Sequence, residues 1–148
     1  MQVVYPALFY FDPKESNYFI TFPDFEYSAT QGESLADAMM MAAEYLGIQV
    51  ADLIEENHTL PIPTNINELS LIEHNPFRED SEFSQDYDEQ QSFISMVTTD
   101  VTRYLGMQEL VKKTLTIPKW ADIAGKELQL NFSQTLTEAI LAKKFESS

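Results

Sequence analysis

Lys112-Lys113-Thr114-Leu115-Thr116-Ile117-Pro118 alternates in character residue by residue. A side-chain period of two puts Val111, Lys113, Leu115 and Ile117 on one face of a predicted strand, and Lys112, Thr114 and Thr116 on the other. Pro118 stops that strand and suits the first turn of a helix. Trp120, Ile123, Ala124 and Leu128 then recur at helical spacing. The turn Gln129-Leu130 leads to Asn131, a predicted N-cap with Gln134 at the third helical position. Phe132, Leu136, Ala139 and Ile140 mark the apolar face of a second helix ending near Lys143 and Lys144.

One strand and two short helices cannot bury that much apolar surface alone. Leu115, Ile117, Trp120, Leu136 and Ile140 are therefore expected to meet a second copy of the chain, as a homodimer or within a higher oligomer. Two such strands paired antiparallel form a ribbon with Lys112, Thr114 and Thr116 of each chain on its outer face. A two-stranded ribbon fits the DNA major groove, where lysine donates to guanine and threonine reaches base edges or the thymine methyl. Lys113, on the apolar side, suits a backbone or phosphate contact. The N-terminus of the second helix, with Asn131 and Ser133, offers its amides to a phosphate.

Charge separates this segment from the rest of the chain. Residues 1–110 hold 3 basic side chains against 20 Asp and Glu, a net of −17. Residues 111–148 hold 6 lysines against 4 carboxylates, a net of +2 within an overall −15. One part repels a polyanion and the other tolerates one, which predicts two modules, 1–110 and 111–148, with different partners. An acid excess of this size usually means only a soluble surface; the sharper reading is attraction to a basic protein.

In the acidic module Val3 to Phe11 reads as a strand, Asp12 to Asn17 as a turn and Tyr18 to Phe22 as a second strand. A third short strand is expected around Tyr27 to Gln31. Ser34, with Asp37 three residues on, resembles a capped helix start. Leu35, Ala38, Met39, Ala42, Tyr45 and Leu46 then form one face, and Gly47 breaks or weakens the helix on its way to Asn57. Leu60 to Thr64 must be extended around Pro61 and Pro63. The acidic, turn-rich stretch 73–91 reads as a solvated loop or linker, and Ser92 to Val101 as a further strand.

Several kinds of chemistry are excluded or unsupported. There is no cysteine, so disulfides, thiolate metal sites and thiol nucleophiles are absent. The scattered glycines form no phosphate loop. His58 and His74 lack a metal-ligand partner at helical spacing, so no metal or other cofactor is expected. Asp12, Asp24, Glu33 and Glu44 are candidates for remnants of a two-metal nuclease, but no spacing singles them out from the other carboxylates. No catalytic residue is assigned, and a non-enzymatic role is expected. With 44% hydrophobic residues and no apolar run of membrane length, a soluble cytoplasmic protein without a membrane partner is expected.

The C-terminal segment resembles the ribbon-helix-helix family, whose members include the methionine and Arc repressors. More closely, Lys113 to Trp120 followed by Asn131 to Leu136 is similar to the C-terminus of HicB antitoxins. Tyr18 to Asp24 resembles the second strand of that family and the loop after it, and Thr30 to Ala38 resembles its approach to the first helix. Ser28-Ala29 stands where Gly-Cys is common in the family. The resemblance covers about residues 3–65 and 111–145 and implies an α+β chain, with a partial ribonuclease-H-like N-terminal domain and a C-terminal ribbon-helix-helix module. It implies an antitoxin of a type II toxin–antitoxin system that inhibits a small, basic, HicA-type mRNA-cleaving toxin and represses its own operon by binding operator DNA. Toxin contacts are then expected at Asp24, Phe25 and Glu26. The alternative is a stand-alone ribbon-helix-helix repressor whose acidic domain senses a ligand or oligomerises.

Overall fold

The computed structural model describes residues 1–80, 86–106 and 110–146. The chain divides into two compact units, Gln2–Leu105 and a second from Gly106 onward.

The first unit is built on a four-stranded antiparallel sheet of order β3-β2-β1-β4, with β1 Gln2–Asp12, β2 Asn17–Thr21, β3 Thr30–Gly32 and β4 Phe93–Asp100. β1 is central, pairing Phe9 with Ile20 on one side and with Phe93 on the other. Its residues Tyr5 to Tyr10 are all buried, the continuous apolar run of a strand covered on both faces. Helix α1, Leu35–Glu55, covers one face with Ala38, Ala42, Leu46 and Val50. The segment after α1 reaches the other face, where the Tyr10 hydroxyl donates to the Leu71 carbonyl at 2.8 Å. Leu8, Phe9, Ile20, Phe22, Leu46, Val50, Val97 and Val101 are the large side chains sealed between these layers.

Ser34 caps α1 as expected, its hydroxyl accepting from the Asp37 amide at 3.1 Å. The Asp37 carboxylate reaches back to the Glu33 amide at 2.9 Å, one residue earlier than in a standard capping box. Gly47 does not break the helix. A Cβ there would collide with the Tyr104 ring, so glycine lets the 3-10 turn Val101–Tyr104 lie against the helix, and that packing offsets a helix cost of about 1 kcal/mol. Leu35, expected on the buried face, is exposed in the first turn.

The third strand is shorter and later than expected, because Tyr27 sits in a turn with φ 55° and cannot join a ladder. The stretch 73–91 is not a free linker where it is described: Phe77 packs on Phe19, Tyr87 packs on Tyr10, and Asn75 is buried. Residues 81–85 of that stretch lie outside the described residues.

The second unit contains α2 Lys119–Glu127 and α3 Phe132–Glu146. Pro118 precedes α2 as its N-cap residue, and its carbonyl accepts from Ala121 and Asp122. α2 ends with Gln129 at φ 54°. The Leu130 amide bonds Gly125 O and the Gln129 amide bonds Lys126 O, the pairing that closes a helix on a left-handed residue. The predicted strand 111–117 is not a strand within one chain, since a strand exists only with a ladder partner. Among the described residues no helix is long and apolar enough to cross a membrane.

Candidate partner-binding surfaces

In the first unit the loop between β2 and β3 is closed by Ser28. Its hydroxyl donates to Phe22 O and accepts from Phe22 N, each at 2.8 Å, while Thr21 Oγ1 donates to Ser28 O at 3.0 Å. Ser28 is buried, and its hydroxyl supplies the stitch that closes the loop. Between these anchors Pro23 to Tyr27 bulge outward.

The three residues expected to meet a partner have three different environments. Asp24 is committed internally: its carboxylate accepts both the amide of Thr64, at 3.0 Å, and the hydroxyl of Thr64. It therefore clamps the proline-rich segment after α1 onto the loop. Phe25 is buried, packing edge-on against Tyr5 and Phe22 at centroid distances of 4.9 and 6.2 Å. As folded it cannot enter another protein, because the alternation of the turn points it into the core. Glu26 is exposed. Tyr27, which the sequence places in a strand, is 99% exposed and held at positive φ, an uncommon conformation for a bulky residue. Below this loop a groove of about 490 Å³ runs between Asp24, Glu26, Gln49, Leu53 and Pro61. The Tyr5 hydroxyl donates to Pro61 O at 2.6 Å, and burial, then the Asp24 charge, raises its pKa above the usual tyrosine value.

In the second unit Lys112, Lys113, Thr114 and Thr116 are all exposed. Asn131 caps α3, its Oδ1 accepting from the Gln134 amide at 3.1 Å and the Ser133 hydroxyl at 2.9 Å. Both are thus in the first turn of α3, where amides point along the axis. Trp120 is 73% exposed, Leu115 61% and Ile140 60%; Ile117, Phe132 and Leu136 are also exposed. Of the face expected to be buried on α3, Ala139 is exposed too, and Leu141 is the buried residue instead. Within the unit the helices meet where the Phe132 ring rests on Gly125, leaving no room for a Cβ.

The carboxylates considered for metal chemistry do not converge. Asp12 accepts backbone amides in the β1–β2 turn, Asp24 holds Thr64, and Glu44 is exposed on α1. Among the described residues no group of three His, Asp or Glu side chains is placed to hold a metal ion. His74 is structural, its ring nitrogen accepting from the Ser70 amide at 3.0 Å.

Residues 4–76 match the model of the HicB_like antitoxin of bacterial toxin–antitoxin systems. A chain in the solved "Toxin-Antitoxin complex from Streptococcus pneumoniae" is 60% identical over 97% of this chain and 99% of its own, with a TM-score of 0.70. The chain belongs to the HicB-like antitoxin family. More distant likenesses are to the Burkholderia pseudomallei antitoxin HicB, 19% identical over 94% of this chain and 96% of its own with a TM-score of 0.48. The HicA3 and HicB3 toxin–antitoxin complex is similar at 21% identity over 66% of this chain and 99% of its own, with a TM-score of 0.44. No curated protein matches. Membership assigns this chain a regulatory role as an antitoxin, for which neither converging carboxylates nor a nucleophile is needed. Thr64 and Ser28 hold this loop in place, a role that the sequence alone did not show. Their partners are Asp24, 40 residues away, and the backbone of Phe22.

Proposed function

We propose that the first unit occupies a small, basic, HicA-type mRNA-cleaving toxin, while residues 111–148 form a ribbon-helix-helix dimer that binds operator DNA and represses the operon. The observation that carries this reading is the 60% identity, over nearly the whole of both chains, to a chain of a toxin–antitoxin complex. The charge division supports it: an RNA-cleaving partner must itself be basic, and residues 1–110 carry a net of −17. The N-terminal unit is read as the partial ribonuclease-H-like domain of this family, acting by binding rather than catalysis, in the cytoplasm.

Glu26 and Tyr27 are the residues of the β2–β3 loop that offer a partner charge and an aromatic anchor, with Asp24 and Phe25 holding the loop in shape. For the second module the exposed apolar residues Leu115, Ile117, Trp120, Leu136 and Ile140 supply the dimer contact. Pairing the two 111–117 segments would then present Lys112, Thr114 and Thr116 to the major groove, with Asn131 and Ser133 at a phosphate.

The test is co-purification of the tagged chain with the product of the adjacent small basic gene, followed by electrophoretic shift of their shared promoter. A stable complex that suppresses toxicity and shifts the promoter is expected. Lys112→Ala and Thr114→Ala should weaken the shift and leave toxin capture unchanged; equal loss of both activities defeats the two-module reading. A promoter shift without any protein partner would favour a stand-alone repressor.

A further inference from the structure

At the hairpin end of the first unit lies a cavity of about 370 Å³, lined by β1, β2 and the segments around 75–77 and 86–87. Its walls are aromatic. Tyr10 and Phe19 are opposite one another in the β1–β2 ladder and so share one sheet face. Tyr87 meets Tyr10 edge-on at a centroid distance of 5.0 Å, and Phe77 meets Phe19 at 5.5 Å. The four rings therefore form one row, Tyr87-Tyr10-Phe19-Phe77. The other lining residues are Asn75, which is buried, and the charged residues Asp12, Lys14, Glu15 and Asp86.

Among the described residues, charge on the rim is lopsided: three carboxylates face one ammonium. Lys14 approaches Asp86 only at 3.8 Å, with side chains 76% and 47% exposed, so that pair is weak and easily displaced. Asp12 is held by the Lys14 amide at 2.8 Å and is thereby oriented at the cavity mouth. Aromatic faces carry negative potential and attract cations. Carboxylates above them add charge and hydrogen-bond acceptors. A planar guanidinium satisfies both features at once, stacking on a ring while its fork reaches a carboxylate; a compact, strongly hydrated ammonium does so less well.

We propose that this cavity receives an arginine side chain projecting from the basic protein partner. It forms a second contact at the sheet end opposite the Tyr27 loop, and for the identity of the partner it rests on the antitoxin reading. Tyr10 and Phe19 form the floor, Tyr87 and Phe77 the sides, and Asp12 and Asp86 the acceptors. An apolar ligand would leave the rim unused, and an anion would meet three carboxylates.

Two measurements on the full chain test it. In the first, ¹H–¹⁵N and aromatic NMR spectra are followed as N-acetyl-arginine methylamide is added, with the blocked lysine and glutamine as comparisons. Shifts confined to Tyr10, Phe19, Phe77 and Tyr87, larger with arginine than with either comparison, are expected; no localised shift with arginine overturns the proposal. In the second, calorimetry measures affinity for the purified product of the adjacent basic gene. Asp86→Lys and Tyr87→Ala should each lose about 10- to 100-fold. Tyr87→Phe and the remote charge reversal Glu44→Lys should stay within about 3-fold. Asp86 is exposed and, among the described residues, makes the weak Lys14 pair, so its variant should retain the fold, checked by the dispersion of its NMR spectrum. Wild-type binding with no loss in Asp86→Lys overturns the pocket while leaving the antitoxin reading intact. Absence of wild-type binding instead overturns that reading, and the partner assignment falls with it.

Discussion

Among the described residues, most large apolar side chains of Gln2–Leu105 are buried or half-buried, whereas from Gly106 onward most of them are outside. Phe9, Phe22, Leu8 and Ile20 are sealed between a helix and a strand-crossing loop, while Trp120, Leu128 and Ile140 face solvent within one chain. The two regions do not differ in the presence of apolar residues. They differ in geometry: a sheet with cover on both faces closes around its own side chains, and two short helices cannot. Burial at about 25 cal/mol per Å² stabilises the first region within the chain, and on the reading proposed above the second would gain the same stabilisation by association.

The sharpest way to break this contrast is to hollow the closed core. Leu46→Ala should cost the first unit about 2–5 kcal/mol, seen as a lower urea midpoint independent of protein concentration. A concentration-dependent midpoint would mean that this unit too relies on a partner. Next in size is the open face. Leu136→Asp should weaken self-association by about 30- to 1,000-fold, a change of about 2–4 kcal/mol, read by sedimentation equilibrium. An unchanged distribution would remove the dimer contact from α3. A smaller effect tests how tightly the closed region is packed. Gly47→Ala, which in an ordinary exposed helix would gain up to about 1 kcal/mol, should instead cost about 1–3 kcal/mol because the new methyl group meets the Tyr104 ring. Stabilisation in thermal melts would show that the contact yields.

The smallest effect is a matter of pH. Tyr10 and Tyr5 have pKa values raised chiefly by burial, so the native state keeps protons that the unfolded chain releases near pH 10. Stability is therefore fully present below pH 10 and falls as pH rises above it. Tyr10→Phe should flatten the alkaline side of a stability-versus-pH curve for the first unit. An equal slope in the variant would shift the cause to other groups.

Helix starts were the most legible features, because capping is local chemistry. Ser34 and Asn131 each accept an amide three residues on, and no distant residue is needed for that. The β1–β2 hairpin was legible from turn residues between aromatic runs for the same reason. The Gly47 continuation was not, since it depends on Tyr104, 57 residues away in sequence and adjacent only after the sheet has formed. The candidate site divides in the same way. Glu26 is exposed, but the loop's acidic and aromatic composition could not say that Asp24 is bound to Thr64, or that Phe25 points inward and Tyr27 outward.

By itself the sequence determined most of the segments and the charge division, because periodicity, caps and net charge are properties of neighbouring residues or simple sums, and its motifs carried the resemblance to the family. Tertiary structure decided which side chains remain available to a partner. Tyr10, Phe19, Phe77 and Tyr87 are scattered over 78 positions and share a cavity only because β1 and β2 pair and the later segments return to their face. Availability is a matter of what else lies within a few ångströms, and that is settled only when distant parts of the chain meet.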